Sequence, residues 1–138
     1  MKLEFSISSV WIKSIASFFE REVFRIRGIV VISLILSVIA TTIAYQNDII
    51  VTYGDAESHL NIAKRVVHSI TPGAAQLGGI WLPIPHLLLV PFVSIDWLWR
   101  TGLAGSIVSG FSFLISGIYL FKTAYLLTKN RLVSFVSF

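Results

Sequence analysis

The chain has no cysteine. That excludes a disulfide framework, a thiol nucleophile and a zinc–thiolate site. Charge is scarce as well: Asp, Glu, Lys and Arg make up 13% of the 138 residues, while 55% are hydrophobic. Soluble domains of ordinary composition carry about twice that share of charge. No glycine-rich phosphate loop is present, because QLGG at 76–79 leads into a tryptophan and prolines rather than a helix with Lys-Ser/Thr. No metal-binding signature such as H-E-x-x-H occurs either.

Charge is missing altogether from two long stretches. Residues 28–47, GIVVISLILSVIATTIAYQN, run for 20 residues, and residues 101–121, TGLAGSIVSGFSFLISGIYLF, for 21. At about 1.5 Å of rise per residue, each can cross a hydrocarbon core of roughly 30 Å. Only a helix satisfies its own backbone along such a path, so both read as transmembrane helices. The first does not fit a cleaved signal peptide: 27 residues precede it and no A-x-A site follows. An uncleaved signal-anchor fits better. Neither run holds an ionisable group apart from Tyr45 and Tyr119 near their ends, which argues against an intramembrane proton or ion pathway here.

The positive charges orient the spans. Lys2, Lys13, Arg21, Arg25 and Arg27 precede the first run, and Lys122, Lys129 and Arg131 follow the second. The 53 residues between, 48–100, hold only Lys64, Arg65 and Arg100. The positive-inside rule puts both basic ends in the cytoplasm and 48–100 outside, in the cell (plasma) membrane. The net charge of +4 is largely this bias and gives no reason to expect a nucleic-acid partner. The membrane lipid is the first partner implied.

The flanks follow the same logic. Residues 8–27 mix apolar and basic groups at helical spacing and predict an amphipathic, interfacial lead-in to the first span. In the second run Gly102, Gly105, Gly110 and Gly117 alternate with Ser106, Ser109, Ser112 and Ser116, small residues that let helices approach closely. Residues 122–131 form a cytoplasmic loop in this scheme, and RLVSFVSF at 131–138 reads as the start of a third span. The fold class expected is therefore all-α integral membrane, with two full spans, the start of a third, and an extracytoplasmic loop of interfacial helices. The chain reads as the N-terminal fragment of a longer polytopic protein.

The chemistry must lie in 48–100, which holds all three histidines, all four prolines and four of the seven acids. Residues 55–70 predict one helix with Leu60, Ala63, Val67 and Ile70 on a stripe, lying apolar side down on the membrane and stopped by Thr71-Pro72-Gly73. Residues 77–95 are uncharged, but Pro83, Pro85 and Pro91 argue against a third span, at about 3 kcal/mol for each interior proline. Short interfacial or re-entrant helices are expected instead, with Trp81, Trp97 and Trp99 at headgroup level.

Within this loop YGDAESH, residues 53–59, concentrates polar groups just past the first span. Asp55 and Glu57 at i, i+2 diverge on a regular helix, although near a helix start both could approach one ion or substrate. Capping competes with catalysis: Thr52 and Asp55 have capping-box spacing, or Asp55 itself caps the helix, and acids in a first turn suit its dipole. His59 lies one turn after Asp55, where an Asp–His pair could orient an imidazole, hold a metal, or simply be a solvated surface pair. His68 is expected to face solvent. His86 reads either as an interfacial anchor or as a pocket residue.

The opening YGDAESHLNIAKRV, the interfacial helices after it, and TPGAAQLGGIWLPIPHLLLVPF at 71–92 resemble the start of the GT-C glycosyltransferases, membrane enzymes that use polyprenyl-phosphate sugars. The subgroup most similar includes the protein O-mannosyltransferases, and the resemblance covers residues 28–125 or so. It implies a sugar transferred from a polyprenyl-phosphate donor to an acceptor hydroxyl of unknown identity, with Asp55 as general base and Glu57 as a second member of the site. His59, Lys64, Arg65 and His86 become substrate-binding candidates. Lys64, Arg65 or Arg100 would stabilise the leaving phosphate; contact with anionic headgroups is the plainer role for these cations. A divalent cation, if used, would bind Asp55 and Glu57. The family's remaining functional residues lie beyond this chain, so the fragment alone is expected to be inactive. The alternative is a non-enzymatic polytopic protein, a scaffold or transporter segment, in which Asp55 and Glu57 only cap a helix.

Overall fold

In the computed structural model the backbone is described for residues 4–77 and 83–138, and side chains from Arg25 onward within those ranges. Among the described residues the secondary structure is helical throughout. We number the elements α1 (Glu4–Gln46), α2 (Gly54–His68), α3 (Pro83–Val93), α4 (Asp96–Arg100), α5 (Leu103–Thr128) and α6 (Arg131–Val136), with a 3₁₀ turn at Ala74–Leu77. Two helical segments are long and apolar enough to cross a membrane, Arg25–Gln46 and Leu103–Thr128. α1 is one unbroken helix of 43 residues, so the basic lead-in and the first apolar run are continuous. The apolar faces expected within residues 8–24 and the position of Trp81 lie outside the described side chains.

The chain divides into two compact units, Leu34–Ile115 and a smaller one of Met1–Ser33 with Ser116–Phe138. In the smaller unit α5 runs on through Lys122 to Thr128, beyond the uncharged run. Lys129 then takes φ 52° and its N–H bonds the Tyr125 carbonyl, closing the helix with a left-handed residue. Asn130 caps α6 at once: its side-chain oxygen accepts from the N–H groups of Leu132 and Val133. Gly117 is buried, and a Cβ there would come within 2.5 Å of the Phe138 ring. Gly117 therefore provides the room for that ring.

The larger unit carries the polar residues. α1 ends in a Schellman motif, in which Ile49 N–H bonds Ala44 O and Asp48 N–H bonds Tyr45 O, with Asp48 at φ 55° where glycine is usual. Asp can take this conformation because its short polar side chain tolerates the left-handed region. The chain turns over residues 49–53 into α2. Leu60 and Ala63 on α2 pack with Leu89 and Val93 on α3 and Ala104 on α5 to form the core, with Val67, Phe92 and Trp99 against it. The stripe read from periodicity is thus buried against α3 rather than laid on lipid. Ile70 falls outside the helix and is fully exposed, because α2 already stops at His68.

α3 is 11 residues long, too short to span. Pro83 and Pro85 sit in its first turn, where the missing N–H groups have no intrahelical partner to lose, and only Pro91 is interior. Gly102 then turns the chain into α5 at φ +77°. Further along α5, Gly110 faces Ser37 of α1, and a Cβ at Gly110 would meet that side chain at 3.5 Å.

A test follows at Gly102. A Cβ there would approach Ile50 Cγ2 to 2.5 Å and Val51 Cγ1 to 2.7 Å, at a φ that disfavours side chains. Gly102→Ala should destabilise the chain by more than about 1 kcal/mol. Gly105→Ala, whose nearest neighbour would be Leu60 Cδ2 at 3.9 Å, should be tolerated. Thermal unfolding in detergent micelles separates the two; equal midpoints would contradict the packing described.

Candidate functional site

Asp55 and Glu57 occupy the first turn of α2, Asp55 half-buried and Glu57 exposed. Neither caps the helix. The N-cap residue is Tyr53, without a side-chain cap bond, and the Thr52 hydroxyl instead donates back to Ile49 O at 2.9 Å. The capping box expected from spacing does not form, because Thr52 belongs to the turn leaving α1 and lies one residue before the cap. What remains of the capping account is the favourable placement of two acids near the helix N-terminus. Asp55 has no hydrogen-bond or ion-pair partner among the described residues.

Lys64 is committed elsewhere. Its ammonium lies 2.5 Å from Asp96 Oδ1 and 3.0 Å from the Val93 carbonyl, and 4.8 Å from the centre of the Trp99 ring. It therefore bridges the carbonyl end of α3 and an acid in the first turn of α4, two places where its charge complements the helix ends. Lys64 is 11% exposed against 63% for Asp96, so the lysine, though charged, is part of the packing. Trp99 is held from its edge too, its Nε1–H donating to Asn61 Oδ1 at 3.2 Å. Arg65 and His68 are exposed in the last turn of α2. Arg100 is exposed, with Asp96 at 3.8 Å and the Trp99 ring at 5.3 Å.

The structure brings together two candidates that the sequence keeps apart. Nδ1 of His59 lies 2.8 Å from Nε2 of His86. His86 is completely buried and its Nδ1 meets no hydrogen-bond partner among the described residues. His86 is thus a buried residue held against His59, and it is not among the residues that line the cavity described next. Burial pushes its pKa down, and the neighbouring His59 adds to the shift. Spacing could not reveal the pair; the one hint was a histidine flanked by prolines in an apolar stretch, where an imidazole needs a partner.

His59 also lines a cavity of about 670 Å³ within the larger unit. Its lining includes Ala56 and Leu60 of α2, Pro85 and Leu89 of α3, Ser37 and Thr41 of α1, and Ser106 and Ser109 of α5. His59 is the cavity's sole ionisable side chain among the described residues; the other polar lining groups are hydroxyls. Asp55 and Glu57, the pair proposed for a cation, are not joined by a third His, Asp or Glu among the described residues.

The pKa shifts give a pH prediction. His86 has a folded-state pKa below its ordinary 6.5, so below about that pH the unfolded chain binds more protons and stability falls as the pH drops. Asp96 is held below its ordinary 3.8 mainly by the Lys64 hydrogen bond, so its contribution is present at neutral pH and lost only at strongly acidic pH. Acid titration monitored by near-UV dichroism should show two losses of structure, and His86→Gln should remove the upper one. A titration flat between pH 7 and 4.5 would contradict the burial of His86.

No protein-family model, curated protein or solved structure matches the chain.

Proposed function

We propose that this chain belongs to an integral membrane glycosyltransferase that moves a sugar from a polyprenyl-phosphate donor to an acceptor hydroxyl on the extracytoplasmic face. The observation that carries the proposal is Asp55. It stands half-buried in the first turn of α2, nine residues beyond the end of the first apolar helix. The capping role that competed for it is not exercised, and no partner among the described residues neutralises it.

Chemistry at such a place is coherent. With the basic ends in the cytoplasm, the start of α2 lies where a lipid-borne phosphate meets a water-borne acceptor. Asp55 as general base takes the acceptor's hydroxyl proton. The acceptor oxygen forms its bond to the anomeric carbon as the bond to the phosphate oxygen breaks, and the electron pair leaves with the polyprenyl phosphate. One such displacement inverts the anomeric centre. Arg65 and Arg100 are exposed, whereas Lys64 is taken up by Asp96 and the Val93 carbonyl, which leaves the two arginines as the candidates for the departing phosphate.

Asp55→Asn in the complete gene product should lower transfer from a polyprenyl-phosphate sugar about 10²-fold or more, with unchanged membrane levels. Undiminished transfer would overturn the assignment. It would favour the competing reading, a non-enzymatic polytopic protein in which the two acids serve only the α2 dipole.

A further inference from the structure

α2 is tied to α3 by two polar contacts of different chemistry. At one, His59 Nδ1 lies 2.8 Å from His86 Nε2, with ring centroids 4.9 Å apart. At the other, the Lys64 ammonium meets the Val93 carbonyl at 3.0 Å and the Asp96 carboxylate at the start of α4. From His59 to Lys64 the helix rises about 7.5 Å, so the ties hold separate ends of one contact. Leu60 and Ala63, between them in sequence, pack against Leu89 and Val93.

The two ties answer acid differently. His86 is completely buried, and its Nδ1 meets no hydrogen-bond partner among the described residues. A neutral His86 is accommodated: its Nε2 and His59 Nδ1 share one proton, and its own Nδ1 keeps a lone pair. A cationic His86 carries protons on both nitrogens. Its Nδ1–H is then a buried donor without an acceptor, on a buried charge, and access to water relieves both costs. A proton on the facing nitrogen of His59 leads to the same place, because His86 must then accept at Nε2 and carry its own proton on Nδ1. Burial accordingly holds the pKa of His86 below its ordinary value. Asp96 behaves in the opposite way: the Lys64 hydrogen bond holds its carboxyl below the usual range, so the second tie persists until strongly acidic pH.

The other charged or titratable groups on the elements around the pair are few. α2 carries Asp55, Glu57, Arg65 and His68, and α4 carries Arg100. α3 has none besides His86, and α5 has none from Leu103 to Ile115. α1 has only Tyr45 from Leu34 onward, with Asp48 and Tyr53 in the turn leading to α2.

We propose that the His59–His86 contact is an acid-released latch: when His86 takes up a proton, the N-terminal half of α2 separates from α3 at the histidines and hinges at Lys64, which keeps the other end docked. The proton refused in the closed arrangement is accepted in the open one, so acid shifts the population toward opening. Asp55, in the first turn of α2, moves with the released half. The latch belongs to the fold and holds whatever Asp55 does. Its consequence for catalysis rests on the glycosyltransferase reading: opening carries the general base away and switches the site off in acid.

Spin-label distances on the 138-residue chain in phosphatidylcholine nanodiscs test the latch, because no native cysteine competes for the label. Ser58→Cys with Leu87→Cys puts labels at exposed positions next to the two histidines. Arg65→Cys with Ser94→Cys does the same beside the Lys64 tie. Between pH 7.5 and 5 the first pair should gain a longer distance, its share relative to the short one rising by up to about tenfold per pH unit, the slope for one proton. The second pair should keep its distance. His86→Gln, which cannot become a cation, should hold the first pair short throughout. A first pair unchanged down to pH 4.5 overturns the latch, and that result needs no histidine variant to fold. Lengthening of both pairs together overturns the hinge, and lengthening that persists in His86→Gln overturns His86 as the sensor. None of these distances depends on sugar transfer, so the latch and the role of Asp55 stand or fall separately.

Discussion

The polar chemistry of this chain depends on the docking of α2 against α3. α2 is a mostly polar helix with one apolar face, and that face needs a partner. Leu60 and Ala63 find it in Leu89 and Val93. Two polar ties at either end of this contact fix the angle and register: the His59–His86 bond on one side, and Lys64 on the Val93 carbonyl and Asp96 on the other. With the docking in place, Asp55 projects from the free first turn of α2 and His59 turns to the cavity. Without it, the same residues would be scattered along a loop.

Lys64 shows how a charge serves packing. An ammonium at the carbonyl end of α3 is favoured by the helix dipole, and the same group reaches an acid at the start of α4. The short α4 is thereby tied down, and both Lys64 and Arg100 lie over the Trp99 ring. A residue type that the sequence offers as a phosphate ligand is in this way consumed by architecture.

Much of the fold was legible in the sequence, for physical reasons that also mark the limits. Two uncharged runs of spanning length announced α1 and α5, because charge in hydrocarbon is costly along any helix. The described part of the 77–95 stretch forms the 11-residue α3, too short to span, although only Pro91 of its three prolines is interior and two sit in the first turn. Periodicity found the apolar face of α2 but not its cover, since spacing defines a face and says nothing of what lies upon it. The capping box failed because spacing ignores backbone conformation: the Schellman turn at Asp48 carries Thr52 to a position before the cap. The histidine pair was invisible because contact between α2 and α3 is tertiary. The small-residue pattern did report a real approach, with Gly110 against Ser37.

Those features converge on a single arrangement, in which an acid, an imidazole and an apolar-walled cavity lie where the first apolar helix gives way to α2. Its use as a glycosyl-transfer site requires that this end of the helices face away from the cytoplasm. The absence of native cysteine makes the question directly measurable. In intact cells, chains carrying Glu57→Cys or Lys129→Cys can be treated with a membrane-impermeant maleimide. Labelling of Glu57→Cys before lysis and of Lys129→Cys only after it is the predicted result. Labelling of Glu57→Cys only after lysis would place the acids on the cytoplasmic side and contradict the account.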